Sequence, residues 1–140
     1  MLVRISLAAA LIWQSFPAHA ETLTVKFTGL RGRGGVVRAM IWKDAAGFPT
    51  QPEKSLAQKS APVAGPEVEL SFSGLQRGTY AVAAYLDENN NGTLDLSIFG
   101  WPKEPTAASN GARGLMGPPS FSAAAFELKQ SSQSIQLNFK

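Results

Sequence analysis

The chain has no cysteine and only one histidine, His19, among its 140 residues. Disulfide bonds are therefore excluded, although small exported domains often use them. His19 lies within a predicted leader, described below, and no other histidine is present for a Ser-His-Asp triad, a Cys-His dyad or a histidine-liganded zinc. Because histidine is the usual proton carrier near pH 7, the composition argues against most acid–base enzymes.

Charge and long apolar runs are also scarce. Charged residues make up 16% of the chain, and the basic ones are scattered without a run of three. This distribution predicts neither a nucleic-acid footprint nor a membrane footprint. Beyond the leader, no segment approaches the roughly 20 consecutive apolar residues that a transmembrane helix needs.

Residues 1–20 have the pattern of a secretory signal peptide. Arg4 gives a positive start, residues 5–13 form an apolar stretch too short to span a bilayer, and Ala18-His19-Ala20 is a small-x-small cleavage site. Cleavage there would leave residues 21–140 as a single domain, periplasmic or secreted. Loss of Arg4 lowers the formal net charge from +3 to +2, because 12 basic residues then oppose 10 acidic ones.

Apolar and polar residues alternate along much of the remaining chain, which is typical of half-buried β-strands. Residues 22–27 and 36–42 alternate in this way around a Gly-rich turn and are predicted to form a hairpin. Residues 80–86 are apolar on both faces, which indicates a central strand covered on both sides. The remaining predicted elements are a short helix at about 52–59 and strands at 67–72, 121–128 and 134–139. The prediction is an all-β fold, an antiparallel β-sandwich of about seven strands with one short helix and a long loop.

The segment from Asp87 to Asp95 has the spacing of a calcium loop. Oxygen-bearing side chains alternate, a glycine follows at the sixth position, and another carboxylate stands at the ninth. The candidate Ca²⁺ ligands are Asp87, Asn89, Asn91, Thr93 and Asp95. Ile98 stands where an EF-hand has its bidentate Glu, so the predicted site is not an EF-hand and is weak, with a dissociation constant of about 10⁻⁴–10⁻³ M at best. The pair Asn91-Gly92 equally fits a turn that needs no ion.

The segment 99–119 is predicted to be a long loop with the residues of a binding site. Trp101 can stack on a ring or sugar face, Arg113 can clamp a carboxylate or phosphate, and Asn110 is a third partner-facing candidate. In the alternative interpretation the loop packs its aromatic residues over one end of the sandwich, and Arg113 pairs internally with Asp95, Glu104 or backbone carbonyls.

Six short motifs occur in a specific order along the chain. They are Gly47-Phe48-Pro49, Gly78-Thr79-Tyr80 with Val82, Asp87-Glu88-Asn89-x-Asn91-Gly92-x-Leu94-Asp95, Gly100-x-Pro102, Ser109-Asn110-x-Ala112-Arg113 and Gly117-Pro118-Pro119-Ser120-Phe121. Together they resemble the domain of unknown function 2141 family of small exported bacterial proteins. The resemblance implies a β-sandwich of the prealbumin or immunoglobulin-like kind in the periplasm or outside the cell, and it implies no assigned activity.

Three functions remain open from the sequence. The first is a non-catalytic exported interaction module with an unknown protein or small-ligand partner, with a structural Ca²⁺ ordering residues 87–119. The second is a periplasmic small-ligand or saccharide-binding protein that uses Trp101 and Arg113 in the 99–119 loop. The third is a small hydrolase in which Asp87 or Asp95 acts with Glu104, as paired carboxylates do in glycoside hydrolysis.

Overall fold

A computed structural model describes residues 20–140, so the predicted leader lies outside the described residues except for Ala20. The described part contains eight strands, two 3-10 turns and one short helix. The strands are β1 (Glu21–Thr28), β2 (Val36–Trp42), β3 (Ala57–Pro62), β4 (Val68–Leu75), β5 (Gly78–Asp87), β6 (Thr106–Ala108), β7 (Phe126–Leu128) and β8 (Ser132–Asn138). The 3-10 turns are Pro52–Lys54 and Ser109–Gly111, and the helix is α1 (Phe121–Ala124). None of the described helices is long and apolar enough to cross a bilayer.

The strands form two sheets that enclose one apolar core. The first sheet has the order β4-β1-β8, and the second has the order β3-β2-β5-β6 with β7 also paired to β5. Alternate side chains of β1, β2, β4 and β5 meet in the core between the sheets. This sandwich confirms the predicted all-β fold class. Strand β5 also confirms the prediction of a doubly covered strand, because each residue from Tyr80 to Asp87 is buried.

The predicted hairpin between the first two strands is wrong. Strand β1 pairs with β4 and β8, whereas β2 pairs with β3 and β5 in the other sheet. The Gly-rich segment 29–35 therefore crosses between sheets. Its last residue, Gly35, has φ +101°, and a Cβ there would lie 2.4 Å from the carbonyl oxygen of Asp87. Glycine is needed at this point because the start of β2 approaches the end of β5 so closely.

The predicted sandwich was antiparallel throughout, but one pair of strands in the structure is parallel. Strand β8 pairs with β1 in parallel over seven consecutive residues, from Thr22 opposite Ser132 to Thr28 opposite Asn138. Strand β4 occupies the other edge of β1 in the antiparallel direction. Strand β8 therefore takes the remaining edge of β1.

Two predicted local elements differ in the structure. Only Pro52–Lys54 of the predicted helix at 52–59 is helical, and residues 57–62 extend as β3 along the edge of β2. The predicted strand at 121–128 begins as α1, which Ser120 caps by accepting a hydrogen bond from the N–H of Ala123 at 3.2 Å. In the first case, the pairing of residues 57–62 with β2 outweighs the helix-capping pattern. In the second case, the Ser120 cap outweighs the apolar pattern that predicted a strand.

Two smaller apolar clusters cover the outer face of the second sheet, and we refer to them as the outer-face clusters. The first contains Met40, Trp42, Ala83 and Tyr85, with Phe48, Leu94 and Phe121 packed against it. The second contains Ala81, Ala108 and Ala124, with Phe48, Ala112 and Phe121 packed against it. Phe48 and Phe121 contact both clusters. This extra layer is where the long segment between β5 and β7 attaches to the sandwich.

Candidate functional site

The acidic segment 87–95 begins where β5 ends. Asp87 is the last residue of that strand, and its carboxylate is fully buried. Its Oδ2 accepts hydrogen bonds from Nε of Arg38 at 2.6 Å and from the N–H of Gly92 at 2.9 Å. Its Oδ1 accepts the N–H of Asn91 at 3.1 Å. Asp87 thus closes the loop onto the strand end and connects both to β2.

The ionisation of Asp87 follows from these contacts. Burial acts to raise its pKa, since desolvation disfavours the charged form. The hydrogen bonds from Arg38, Gly92 and Asn91, together with the positive charge of Arg38, outweigh burial and lower the pKa below its usual value. The carboxylate is therefore ionised at neutral pH and forms a largely buried ion pair with the guanidinium, whose side chain is 27% exposed.

Arg38 belongs to this site but was not predicted from the sequence to have a role in it. It donates a second hydrogen bond, from Nη2 to Oδ1 of Asn90 at 2.9 Å. The available signal was that Arg38 is the only charged residue in the otherwise apolar strand Val36–Trp42. A charge in such a strand needs a partner. The pairing that places Arg38 opposite Tyr85, two residues before Asp87, was not visible in the sequence.

The other predicted calcium ligands bond to one another. Asn89 and Asn91 each donate a side-chain N–H to the carboxylate of Asp95, at 2.6 and 2.7 Å. Their own Oδ1 atoms accept backbone N–H groups, from Asn91 at 3.3 Å and from Thr93 at 3.1 Å. These are Asx turns of the kind that asparagine forms without any ion.

Glu104 connects both ends of the acidic segment through its carboxylate. It is buried, and its two oxygens accept the N–H groups of Glu88 and Asp95, each at 3.0 Å. The N–H of Lys103 also donates to the carbonyl oxygen of Asp95 at 2.8 Å. Both carboxylate oxygens of Glu104 are therefore engaged by backbone groups of the loop.

The arrangement does not bring the acidic groups together around a common point. Across residues 20–140 no three acidic, histidine or cysteine side chains are grouped so that they could hold a metal ion. For calcium to bind here, the amides of Asn89 and Asn91 would have to rotate their oxygens towards Asp95. Of the two predicted carboxylate ligands, Asp87 is already paired with Arg38, so Asp95 would supply the charge. The loop keeps its conformation through its own hydrogen bonds, and calcium binding stays a prediction.

Most large apolar side chains exposed in the described residues lie on two loops. These side chains are Leu96, Ile98, Phe99, Trp101, Leu115 and Met116, and outside the two loops only Leu56 is comparable. Bonds between Ser97 and Trp101 and between Gly100 and Ser97 close the first loop into a short hairpin with Ile98 and Phe99 near its tip. We call residues 96–102 and 113–117 the two-loop surface.

Both loops are anchored on the same face of the second sheet. Leu94, just before the first loop, packs on the outer-face cluster that contains Ala83. Ala112, just before the second loop, packs on the cluster that contains Ala81. The two clusters adjoin one another, because Phe48 and Phe121 pack against both. The sequence did not predict this neighbourhood, because it depends on how residues 87–125 fold over the sheet.

The three predicted partner-facing residues differ in the structure. Trp101 is 51% exposed, and Arg113 is exposed and takes part in none of the three ion pairs found among residues 20–140. Asn110 instead uses its amide internally, donating to the carbonyl oxygens of Ala123 at 3.3 Å and Ala125 at 2.7 Å. Asn110 therefore holds the loop against α1; the residue is also exposed, and its role as a partner contact stays a prediction.

Two shallow cavities of about 220 Å³ each lie on the described surface. The first is lined in part by Arg38, Met40 and Tyr85, and the second in part by Lys43 and Tyr80. Neither is lined by Trp101 or Arg113. The pocket that a saccharide-binding role would need beside the 99–119 loop is therefore not provided by either cavity.

Comparison with known proteins gives one match. The model of a family described as an uncharacterized protein conserved in bacteria (DUF2141) matches residues 25–136. No curated protein and no solved structure matches the chain. The match spans most of the sandwich, from the middle of β1 to the middle of β8, and includes the acidic segment and the two-loop surface. The chain belongs to the domain of unknown function 2141 family.

Proposed function

We propose that this chain is a non-catalytic interaction module, exported to the periplasm or beyond the cell, that makes contact through its two-loop surface. The observation that carries the proposal is that six of the seven large exposed apolar side chains among residues 20–140 lie on this surface, where Ile98 is 94% and Phe99 80% exposed. Exposed apolar patches on soluble domains mark interaction sites. Aromatic residues and methionine are also enriched at such contacts.

A non-catalytic role is supported by the state of the acidic side chains. A general acid or base must lie within hydrogen-bond reach of a substrate proton. Asp87 is fully buried and bonded to Arg38, whereas Glu104 is buried and bonded to two backbone N–H groups. Asp95 accepts two amide N–H groups. The oxygens of these carboxylates already accept hydrogen bonds that hold the loop, so few of them are free to act as the acid or base of a hydrolytic reaction.

Export is the part of the proposal that rests on the predicted leader. The position of β1 supports it, because the first strand begins at Glu21, directly after the predicted cleavage position. A leader removed at that point takes away none of the described strands.

A photo-crosslinking group at position 99 tests the contact surface. We expect the full-length chain with p-benzoylphenylalanine in place of Phe99 or Leu115, expressed in a bacterium that exports it, to form a defined adduct on irradiation. The physical reason is that a side chain 80% exposed in the free protein is buried in a complex. Gel mobility and mass spectrometry of the adduct measure the outcome and separate a protein from a lipid.

Leu56 provides the matched control, because it is also a large exposed apolar residue, at 46%, but lies outside the two-loop surface. The same group at position 56 should give no adduct or a different one. If positions 56, 99 and 115 all gave the same pattern, or none gave any, the two-loop surface would not be the contact site.

Weak calcium binding at the acidic segment belongs to the proposal as a separate prediction. Asp95 would supply carboxylate oxygens, and Asn89 and Asn91 would supply amide oxygens after their side chains rotate. The dissociation constant would be no tighter than about 10⁻⁴–10⁻³ M, because few charged ligands are available. The melting temperature of residues 21–140 should then rise in several millimolar calcium, since a ligand that binds the folded state stabilises it. An Asp95→Asn variant should abolish the rise. A melting temperature that stays flat through millimolar calcium would end the prediction.

A further inference from the structure

Of the charged side chains beside the apolar tips of the two-loop surface, the two that are exposed are both positive. Residues 95–117 contain four charged side chains, Asp95, Lys103, Glu104 and Arg113. Glu104 is buried and Asp95 is half-buried, with its carboxylate bonded to the amides of Asn89 and Asn91, whereas Lys103 and Arg113 are exposed. Lys103 follows the first loop directly, and Arg113 opens the second. Each apolar tip is therefore flanked by an exposed cation.

We propose that the two-loop surface inserts its apolar tips into the interfacial region of an anionic lipid bilayer while Lys103 and Arg113 contact the headgroup phosphates. The inference rests on the proposed function, since it names the partner of the same surface. It departs from the expectation drawn from the scattered charges, which predicted no membrane footprint, because it depends on two cations beside exposed apolar residues and not on a run of basic residues. Tryptophan is favoured at the level of the headgroups, and phenylalanine and leucine reach the acyl boundary. Long basic side chains can keep their charge at the headgroups while their carbon stems lie along apolar surface.

The shape of the surface favours a lipid over a folded protein. Leu115 is fully exposed, and Ile98 and Met116 are 94% and 89% exposed. Side chains so exposed have little of their surface covered by other residues of the chain. A protein interface needs a matching surface of about 800 Å² on each partner with a tightly packed core. A fluid bilayer interface accommodates separate protruding tips without such a match.

The test uses residues 21–140, which contain both sheets and all three apolar clusters. Of the three tryptophans, Trp13 is then absent, and Trp42→Phe leaves Trp101 as the only reporter. Trp42→Phe is a suitable background because the buried Nε1 of Trp42 has no hydrogen-bond partner that would be lost. Trp101 is half-exposed, so its emission should shift to the blue and its quenching by iodide should fall when it enters a bilayer.

Vesicles of phosphatidylcholine alone are compared with vesicles containing equal parts of phosphatidylglycerol. We expect co-sedimentation and the blue shift with the anionic vesicles, weakening as salt increases. The variant Phe99→Ser with Leu115→Ser should bind at least about tenfold more weakly. Lys103→Gln and Arg113→Gln should each weaken binding about fivefold. Melting temperatures of all variants verify that they are folded.

The controls make the same changes away from the surface. Leu56→Ser should leave vesicle binding unchanged, and so should Lys59→Gln and Lys129→Gln, since all three residues are exposed and lie outside the two loops. Absence of binding to anionic vesicles, or equal loss from the control variants, overturns the lipid proposal. A protein adduct from position 99, or a dimer that Phe99→Ser dissociates, combined with no vesicle binding, also overturns it while the proposed contact surface stands.

Discussion

Replacing Asp87 by alanine is expected to lower the free energy of unfolding by about 3–5 kcal/mol, in calcium and in chelator alike. The substitution leaves the Arg38 guanidinium, whose side chain is 27% exposed, without its partner. It also removes the acceptor for the N–H groups of Asn91 and Gly92. Urea denaturation of residues 21–140 with and without millimolar calcium measures the effect. A loss confined to the calcium samples would instead make Asp87 a metal ligand.

The neighbouring carboxylate is the matched control for this substitution. Glu88 is exposed, so Glu88→Ala should change the free energy of unfolding by no more than about 0.5 kcal/mol. The pH dependence adds a second control. The folded pKa of Asp87 is lowered, so its contribution to stability is present above the unfolded value of about 3.9 and is lost as pH falls through the folded value. The difference between wild type and Asp87→Asn should therefore be constant from about pH 5 to 7 and shrink below about pH 4.

The parts of the fold that were predictable are those that leave a local pattern. Alternation along β4 and β8, and continuous apolarity along β5, were correctly assigned because burial is set strand by strand. Pairing leaves no such pattern. Thr28 lies opposite Asn138 in the parallel pair of β1 and β8, more than a hundred residues away, whereas the nearby Gly-rich turn suggested a hairpin that does not form.

The acidic segment shows the same division between local and distant information. Its spacing correctly indicated that Asp87, Asn89, Asn91 and Asp95 belong to one compact loop. Spacing could not distinguish an ion from a salt bridge as the partner of Asp87, because Arg38 lies 49 residues earlier on another strand. Asp87 is paired with Arg38. The amides of Asn89 and Asn91 donate to Asp95, and their oxygens accept backbone N–H groups in Asx turns, so the motif has a structural explanation.

The two-loop surface was predictable only in part. Trp101 and Arg113 were identified as partner-facing, and both are exposed. The exposure of Ile98, Leu115 and Met116 was not predicted, since apolar residues in a long loop are as often packed as free. Two phenylalanines illustrate the difficulty. Phe99 and Phe121 lie on the same excursion from the sandwich, yet the first is 80% exposed and the second packs on both outer-face clusters.

Phe121→Ala is expected to lower the free energy of unfolding by about 2–4 kcal/mol, somewhat less than for a fully buried phenylalanine because Phe121 is half-buried. Its ring lies edge-on to that of Phe48 with centroids 5.8 Å apart, and Phe48 lies edge-on to Trp42 at 5.2 Å. Removing the Phe121 ring opens a gap in the layer that attaches residues 87–125 to the second sheet. Urea denaturation followed by tryptophan fluorescence measures the loss.

Phe99→Ala makes the same chemical change at the exposed tip of the first loop and is the matched control. Because Phe99 is exposed, the change should alter the free energy of unfolding by no more than about 0.5 kcal/mol. Phe99→Ala should nevertheless weaken contact with the partner, while Phe121→Ala should reduce stability whether or not a partner is present. If both variants lost stability equally, the hairpin tip would be part of the packed layer. In that case Phe99 could not be counted as part of a free contact surface, and the proposals built on that surface would fail.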